Sequence, residues 1–409
     1  MNKRTLFLAV YLLLSFVLPG CWDYSEYEDM AQIIAIGMDY NVQTEQTTIT
    51  IQYPAIKRGT AGEPSAPQWV IYSATAPTVF DALSKLQEIV PRRLFYGYLK
   101  VIIISEAAAK YTIMDLIDLF DRTPVMRSSA YVVITSGKAE DILKTADPSR
   151  LSAGDKIQKL VRHSIDSGAA CAVTLNDFVE MLAIGGWEAT APRVISEPAS
   201  SQQSKSKNTE GGPQENKNAQ EEKPGMLGIV GMAAFQGDKF TGYLDEHETL
   251  GLNFIRGKKI RAYKTSEPTG GAGIEELYFR LLETSSKIKV QLANDQLVIS
   301  VHVKVVADVK KYYRNEGADF LAPEVISDAE KKLADSIRSD IDAALIKGQQ
   351  DLKSDIFGFG FAFFRKNPKL WQQEYETKWA DVFPNIPVNV NIDTKIINTG
   401  ITERKLFVK

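Results

Sequence analysis

Two cysteines and three histidines carry most of the nucleophilic and metal-binding chemistry available to these 409 residues. His163, His247 and His302 stand far apart, and none lies in a His-x-x-x-His or Cys-x-x-Cys setting, so their spacing builds no zinc site. Cys171 sits among Ala169, Ala170, Ala172 and Val173, a setting that suits a packed thiol better than a nucleophile. Asp245-Glu246-His247-Glu248 reads as the acidic first turn of a helix, where the macrodipole favours negative charge, rather than a cation site. Asp115, Asp118 and Asp121 recur along one helix and read as its solvated face. Gly358-Phe359-Gly360 and Gly270-Gly271-Ala272-Gly273 offer free amides. However, no GxGxxG follows a strand and no GxxxxGK[ST] occurs, so neither is expected to cradle phosphate. There is no Gly-x-Ser-x-Gly elbow. The expectation is a protein that is not an enzyme, with no metal or cofactor site.

Cys21 is different. It ends Leu18-Pro19-Gly20-Cys21, which resembles a lipobox, where the thiol receives a lipid. Lys3 and Arg4 precede an apolar run from Leu6 to Val17. That run is shorter than the about 20 residues a spanning helix needs, so residues 1–20 read as a lipoprotein signal peptide. Cleavage before Cys21 makes it the new N-terminus. A diacylglycerol and an amide-linked acyl chain such as palmitate would then anchor it, at about 0.8 kcal/mol per buried CH₂. Cys171 would be left without a disulfide partner. No other run is long enough to span a bilayer, so the lipid would be the attachment. The net charge of −3 provides no basic footprint, and no nucleic acid is expected as a partner.

The rest of the chain must fold as the body behind this tether. Gln32–Asp39 and Thr47–Gln52 read as strands around a polar Asn41–Gln46 loop. Thr78 caps a helix that Pro91 stops, and Leu99–Ile104 is a strand. Tyr111–Phe120 is a helix ended by Pro124, Tyr131–Thr135 a strand and Ala139–Ala146 a helix. Residues 155–184 read as mainly helical, capped within by Thr174 or Asn176, and the unit closes near Val194-Ile195. Residues 196–224 hold no apolar residue larger than Ala, a composition expected to stay disordered. Beyond them come a hairpin over Leu227–Leu244, a helix over Asp245–Phe254, and long strands Leu277–Leu292 and Gln296–Val309 joined at Asn294-Asp295. A helix starts at Ser327 in a capping box with Glu330. A second helix over 354–379, broken at the glycines and Pro368, leads to a closing strand from Val388. The expected class is multi-domain α+β: mixed or antiparallel sheets packed with helices. The divisions are 21–195, a linker at 196–224, and 225–402.

Two stretches carry a likeness to a known family. One is Gly20-Cys21-Trp22-Asp23, Glu26 and Ile36-Gly37-Met38-Asp39. The other is Ser354-Asp355-Ile356-Phe357-Gly358-Phe359-Gly360, Pro368-Lys369-Leu370-Trp371, Trp379, Phe383-Pro384, Val388-Asn389-Val390 and Thr399-Gly400. With Gly237-Asp238, Gly242, Leu244 and Asp245 between them, the chain resembles the Ger(x)C family, the lipoprotein C subunits of spore germinant receptors, over about 21–402. The resemblance implies a non-catalytic subunit lipidated at Cys21, on the outer face of the spore inner membrane. It also implies polytopic A and B partner subunits, a role in assembly and signal relay, and no small-molecule ligand of its own. The alternative is an extracytoplasmic solute-binding lipoprotein capturing a small nutrient, which would need a cleft between two similar lobes.

Overall fold

The computed structural model describes residues 26–55, 69–123, 126–145, 150–197, 225–266, 276–293, 296–313 and 323–398, together with Arg4. Cys21 and the rest of the signal segment, residues 56–68, Pro124, and residues 198–224, 270–273, 294–295 and 399–400 lie outside these residues.

The apolar run expected as one strand is two, β1 (Met30–Gln32) and β2 (Ala35–Asn41). The chain breaks at Ile33-Ile34, whose amides donate sideways to Phe95 O and Gln52 O. β3 (Gln46–Pro54) and β4 (Trp69–Ala76) follow antiparallel. Helix α1 (Val79–Ile89) is capped by Thr78, as its sequence suggested. β5 (Arg93–Phe95) pairs with β1, and β6 (Val101–Ser105) lies parallel to β2. An unanticipated helix, α2 (Glu106–Tyr111), starts directly at the end of β6 because the Ser105 hydroxyl caps it. This shifts the next helix, α3 (Ile113–Arg122), past the Tyr111 start expected for it.

After β7 (Tyr131–Thr135), α4 (Ala139–Lys144) has no cap of its own. The Asp39 carboxylate of β2 supplies one, accepting from Ala139 N at 2.8 Å and Glu140 N at 3.0 Å. The region expected as mainly helical contains α5 (Ala153–Ser167) and α6 (Leu175–Ala183), the latter opened by a complete Thr174/Asp177 capping box. β8 (Thr190–Glu197) then pairs antiparallel with β9 (Met226–Gln236), which turns into β10 (Lys239–Leu244).

These strands form one eight-stranded sheet, in the order β10-β9-β8-β7-β6-β2-β3-β4. Strands on either side of residues 198–224 are therefore hydrogen-bonded neighbours. Val101–Ile104 is apolar throughout because both faces of the sheet are covered. Val101 and Ile103 face Ile157 and Val161 of α5, whereas Ile102 and Ile104 face the main core.

Helix α7 (Glu246–Ile255) begins in the expected acidic turn, with Asp245 and Glu248 closing a second capping box. β11 (Tyr263–Thr265), β12 (Glu276–Ala293) and β13 (Gln296–Tyr313) form an antiparallel sheet. β14 (Val388–Asn398) completes its edge, parallel to β13.

Helix α8 (Pro323–Ile346) packs on α7 and β14. Its buried stripe Leu333, Ile337 and Ile341 follows the expected spacing, each side chain contributing about 1.5–3 kcal/mol by burial. Its start differs from the expected one. Pro323, with its φ preset for a first helical turn, puts Ser327 inside the helix. Glu330 is thereby freed to accept Ile396 N at 2.9 Å. The single broken helix expected over 354–379 is instead a loop, α9 (Phe359–Lys366), α10 (Pro368–Leu370), a π turn at Trp371–Tyr375 and α11 (Trp379–Val382).

Candidate functional site

Ser354–Gly360, the stretch with the most specific residue pattern, folds around one carboxylate. Asp355 is buried. Its Oδ1 accepts from Gly358 N at 3.0 Å and Phe359 N at 3.1 Å, and its Oδ2 from Gly360 N at 2.7 Å and Trp379 Nε1 at 2.9 Å. Gly358, at φ 78°, supplies the left-handed residue that points three successive amides inward. Such a nest of amides can bind an external anion. Here the chain's own carboxylate fills it, so the loop is closed to phosphate. Burial pushes the Asp355 carboxyl up to about 6 despite four donors that favour its charged form.

The same loop fastens the C-terminal part of the chain to the eight-stranded sheet. Glu188 N donates to Asp355 O at 3.0 Å and Phe361 N to Gly186 O at 2.8 Å. Ser354 Oγ donates to Phe235 O at 2.6 Å. Arg256 donates to Ile356 O at 2.8 Å and Thr190 Oγ1 at 3.0 Å. Gly186 and Gly360 meet so closely that a Cβ on Gly186 would lie 2.7 Å from Gly360 C and 2.5 Å from the Trp371 ring. Trp371, Trp379 and Phe383 are buried behind this contact, with centroids 5.2 and 6.2 Å apart along the row. The quoted motif residues thus build a joint. Asp355 there is a structural acceptor, held by donors and facing no nucleophile.

The other singled-out residues are dispersed. The Cys171 thiol donates to Asn253 Oδ1 inside the core, and burial raises its pKa. His302 Nε2 meets Asp393 Oδ2 at 2.7 Å across β13 and β14. His163 is exposed on α5, and Asp118 pairs with Arg122 at 2.7 Å. His247 Nδ1 lies 3.1 Å from buried Asp340, which also pairs with Lys264 beside a small pocket of about 260 Å³. The Lys264–Asp340 pair was not legible in sequence, because its members are 76 residues apart. Arg256 and Gly186 were missed too, although the Gly185-Gly186-Trp187 step after α6 hints at a close approach. No group of three His, Cys, Asp or Glu side chains among the described residues could hold a metal. No described helix is long and apolar enough to cross a membrane.

Residues 23–196 match the family model described as the spore germination protein N-terminal domain. Residues 230–400 match the model described as spore germination B3/GerAC like, C-terminal. The chain belongs to the Ger(x)C family. The second match covers the whole caged loop and the tryptophan row, and the first covers Gly186, Glu188 and Thr190, so the joint lies between residues of the two matched regions. Among relatives of this Ger(x)C chain, spore germination protein KC of Bacillus subtilis (strain 168) is 27% identical, with 97% of both chains covered. Spore germination protein GerQC of Bacillus cereus is 20% identical over 96% of this chain and 99% of its own. The crystal structure of the GerBC protein superposes with a TM-score of 0.51 at 16% identity, covering 89% of this chain and 97% of that one. That likeness shows a shared fold.

Proposed function

We propose that this chain is the non-catalytic C subunit of a nutrient germinant receptor. In this reading it is anchored by lipid on Cys21 to the outer face of the spore inner membrane, and acts with polytopic A and B subunits in receptor assembly and signal relay. The observation that carries the reading is the pair of Ger(x)C family matches, which begin two residues after Cys21 and run to residue 400. An anchor of two or more acyl chains holds a body stably on the bilayer. It thereby raises the effective concentration of that body beside membrane partners without any new contact. The joint built on Asp355 supports a body that transmits displacement as one piece, since the two parts of the chain share backbone hydrogen bonds across β8 and β9. The same continuity argues against a solute-binding protein that closes two lobes about a hinge.

The test is intact mass and membrane fractionation of wild type beside Cys21→Ala, with co-purification of the A and B subunits. The expected result is a membrane-bound, lipid-heavier wild type that retains both partners, and a variant that is released or unprocessed. A receptor that assembles and germinates normally without this chain would overturn the proposal.

A further inference from the structure

Beside the caged loop is an open pocket of about 350 Å³, within the range of small-ligand sites. Its walls are Trp187, Phe361, Arg256, Lys258, Arg365 and Ser286, over a floor that includes Ile255 and Phe357. Three of these residues are cations, and no lining residue is acidic, in a chain whose net charge is −3. The nearest carboxylate named at the joint, Asp355, is occupied by its own four donors.

The cations are arranged on the rings. Trp187 and Phe361 stack at 5.6 Å, with the Arg256 guanidinium 5.8 Å from the Trp187 centroid and that of Arg365 5.9 Å from the Phe361 centroid. Each contact holds a cation in place by its attraction to the ring face. Arg256 is further fixed by Ile356 O and Thr190 Oγ1, both neutral acceptors. Desolvation is the largest influence on its pKa and lowers it, with Cys171 and the Asp355 carboxylate pulling the other way. Two donors in the wall, Trp187 Nε1 and Ser286 Oγ, are buried and have no hydrogen-bond partner among the described residues. Buried polar atoms are rarely left so.

We propose that this pocket binds an oxyanion, a carboxylate or a phosphate, whose small carbon body lies on the aromatic and apolar floor. Lys258 and Arg365, both exposed at their ends, supply the charge, and the Ser286 hydroxyl supplies a donor. The site goes beyond the receptor reading and departs from the expectation that this subunit takes no small molecule. The oxyanion could come from a free organic acid or from a phosphate headgroup.

Calorimetric titration of the full chain tests this with benzoate, its neutral isostere benzamide, inorganic phosphate and glycerol 3-phosphate. Saturation by benzoate assigns a free carboxylate; saturation by the phosphates assigns a phosphate or headgroup source. Either result supports the site. Arg365→Gln and Lys258→Gln, changes at exposed ends, are expected to weaken binding about tenfold each. Lys304→Gln, on the outward face of β13, should leave it unchanged. Benzamide binding as tightly as benzoate, full affinity in Arg365→Gln, or no saturation by any probe would overturn the proposal. None of these measurements involves Cys21 or the A and B subunits, so their failure leaves the receptor reading untouched.

Discussion

At Asp355 three consecutive amides and an indole converge on one carboxylate. Asparagine is nearly the same size but would turn an NH₂ toward donors. Asp355→Asn is therefore expected to cost about 3–5 kcal/mol, the cost of breaking a buried charged network, measured by denaturant unfolding. The group also sets a pH dependence. Its folded pKa of about 6 is raised above the ordinary 3.8. Through that window the native state keeps a proton that the unfolded chain has lost. Stability from this residue is therefore greatest at low pH and falls by up to about 3 kcal/mol as pH rises from 4 to 6. The difference in melting temperature between wild type and Asp355→Asn should track this fall, and a constant difference across pH 4 to 6 would contradict it. Cys171 gives a second residue-scale expectation. Its raised pKa and burial predict that a maleimide labels it only after denaturant is added.

Among the elements, the helix starts separate local from non-local information. Thr174, one of two cap candidates in the sequence, and Asp245, read there as part of an acidic first turn, both cap their helices in boxes that close within three residues. Ser327 has the same local signature, yet it sits inside α8, because a proline upstream starts the helix and Glu330 is drawn to Ile396 of β14. Thr174→Ala should thus cost about 1 kcal/mol, whereas Ser327→Ala should lie within about 0.5 kcal/mol of wild type by thermal melting. The joint offers a sharper contrast. A Cβ at Gly186 meets both Trp371 and the Gly360 backbone, at a φ of 78°, but one at Gly137 meets nothing within 4 Å. Gly186→Ala should lose about 2–4 kcal/mol and expose the tryptophan row to a fluorescence quencher, and Gly137→Ala should do neither.

At the scale of the whole molecule, the eight-stranded sheet takes strands from both sides of residues 198–224. A protease site engineered into that segment and cut should leave two fragments that elute together on size exclusion, since β8 and β9 stay paired and Phe178 packs on Phe235 at 5.2 Å. Separate elution would mean that the two parts are independent domains. The expected division at 196–224 follows a real change in composition. What composition cannot report is whether the strands flanking such a segment pair with each other.

The properties that follow from neighbours in the chain were determined by the sequence alone: an α+β class, most strands, the acidic start of α7, the buried stripe of α8, and the family likeness carried by the 354–360 motif. They are readable because side-chain periodicity and capping act over a few residues. The tertiary structure decided what depends on distant partners. It closed the Asp355 nest with the chain's own carboxylate and Trp379. It capped α4 with Asp39, and paired Lys264 with Asp340. It also gathered Arg256, Arg365, Trp187 and Ser286 around one pocket. Such contacts form when burial removes water and leaves each polar group to find a partner wherever the fold places one.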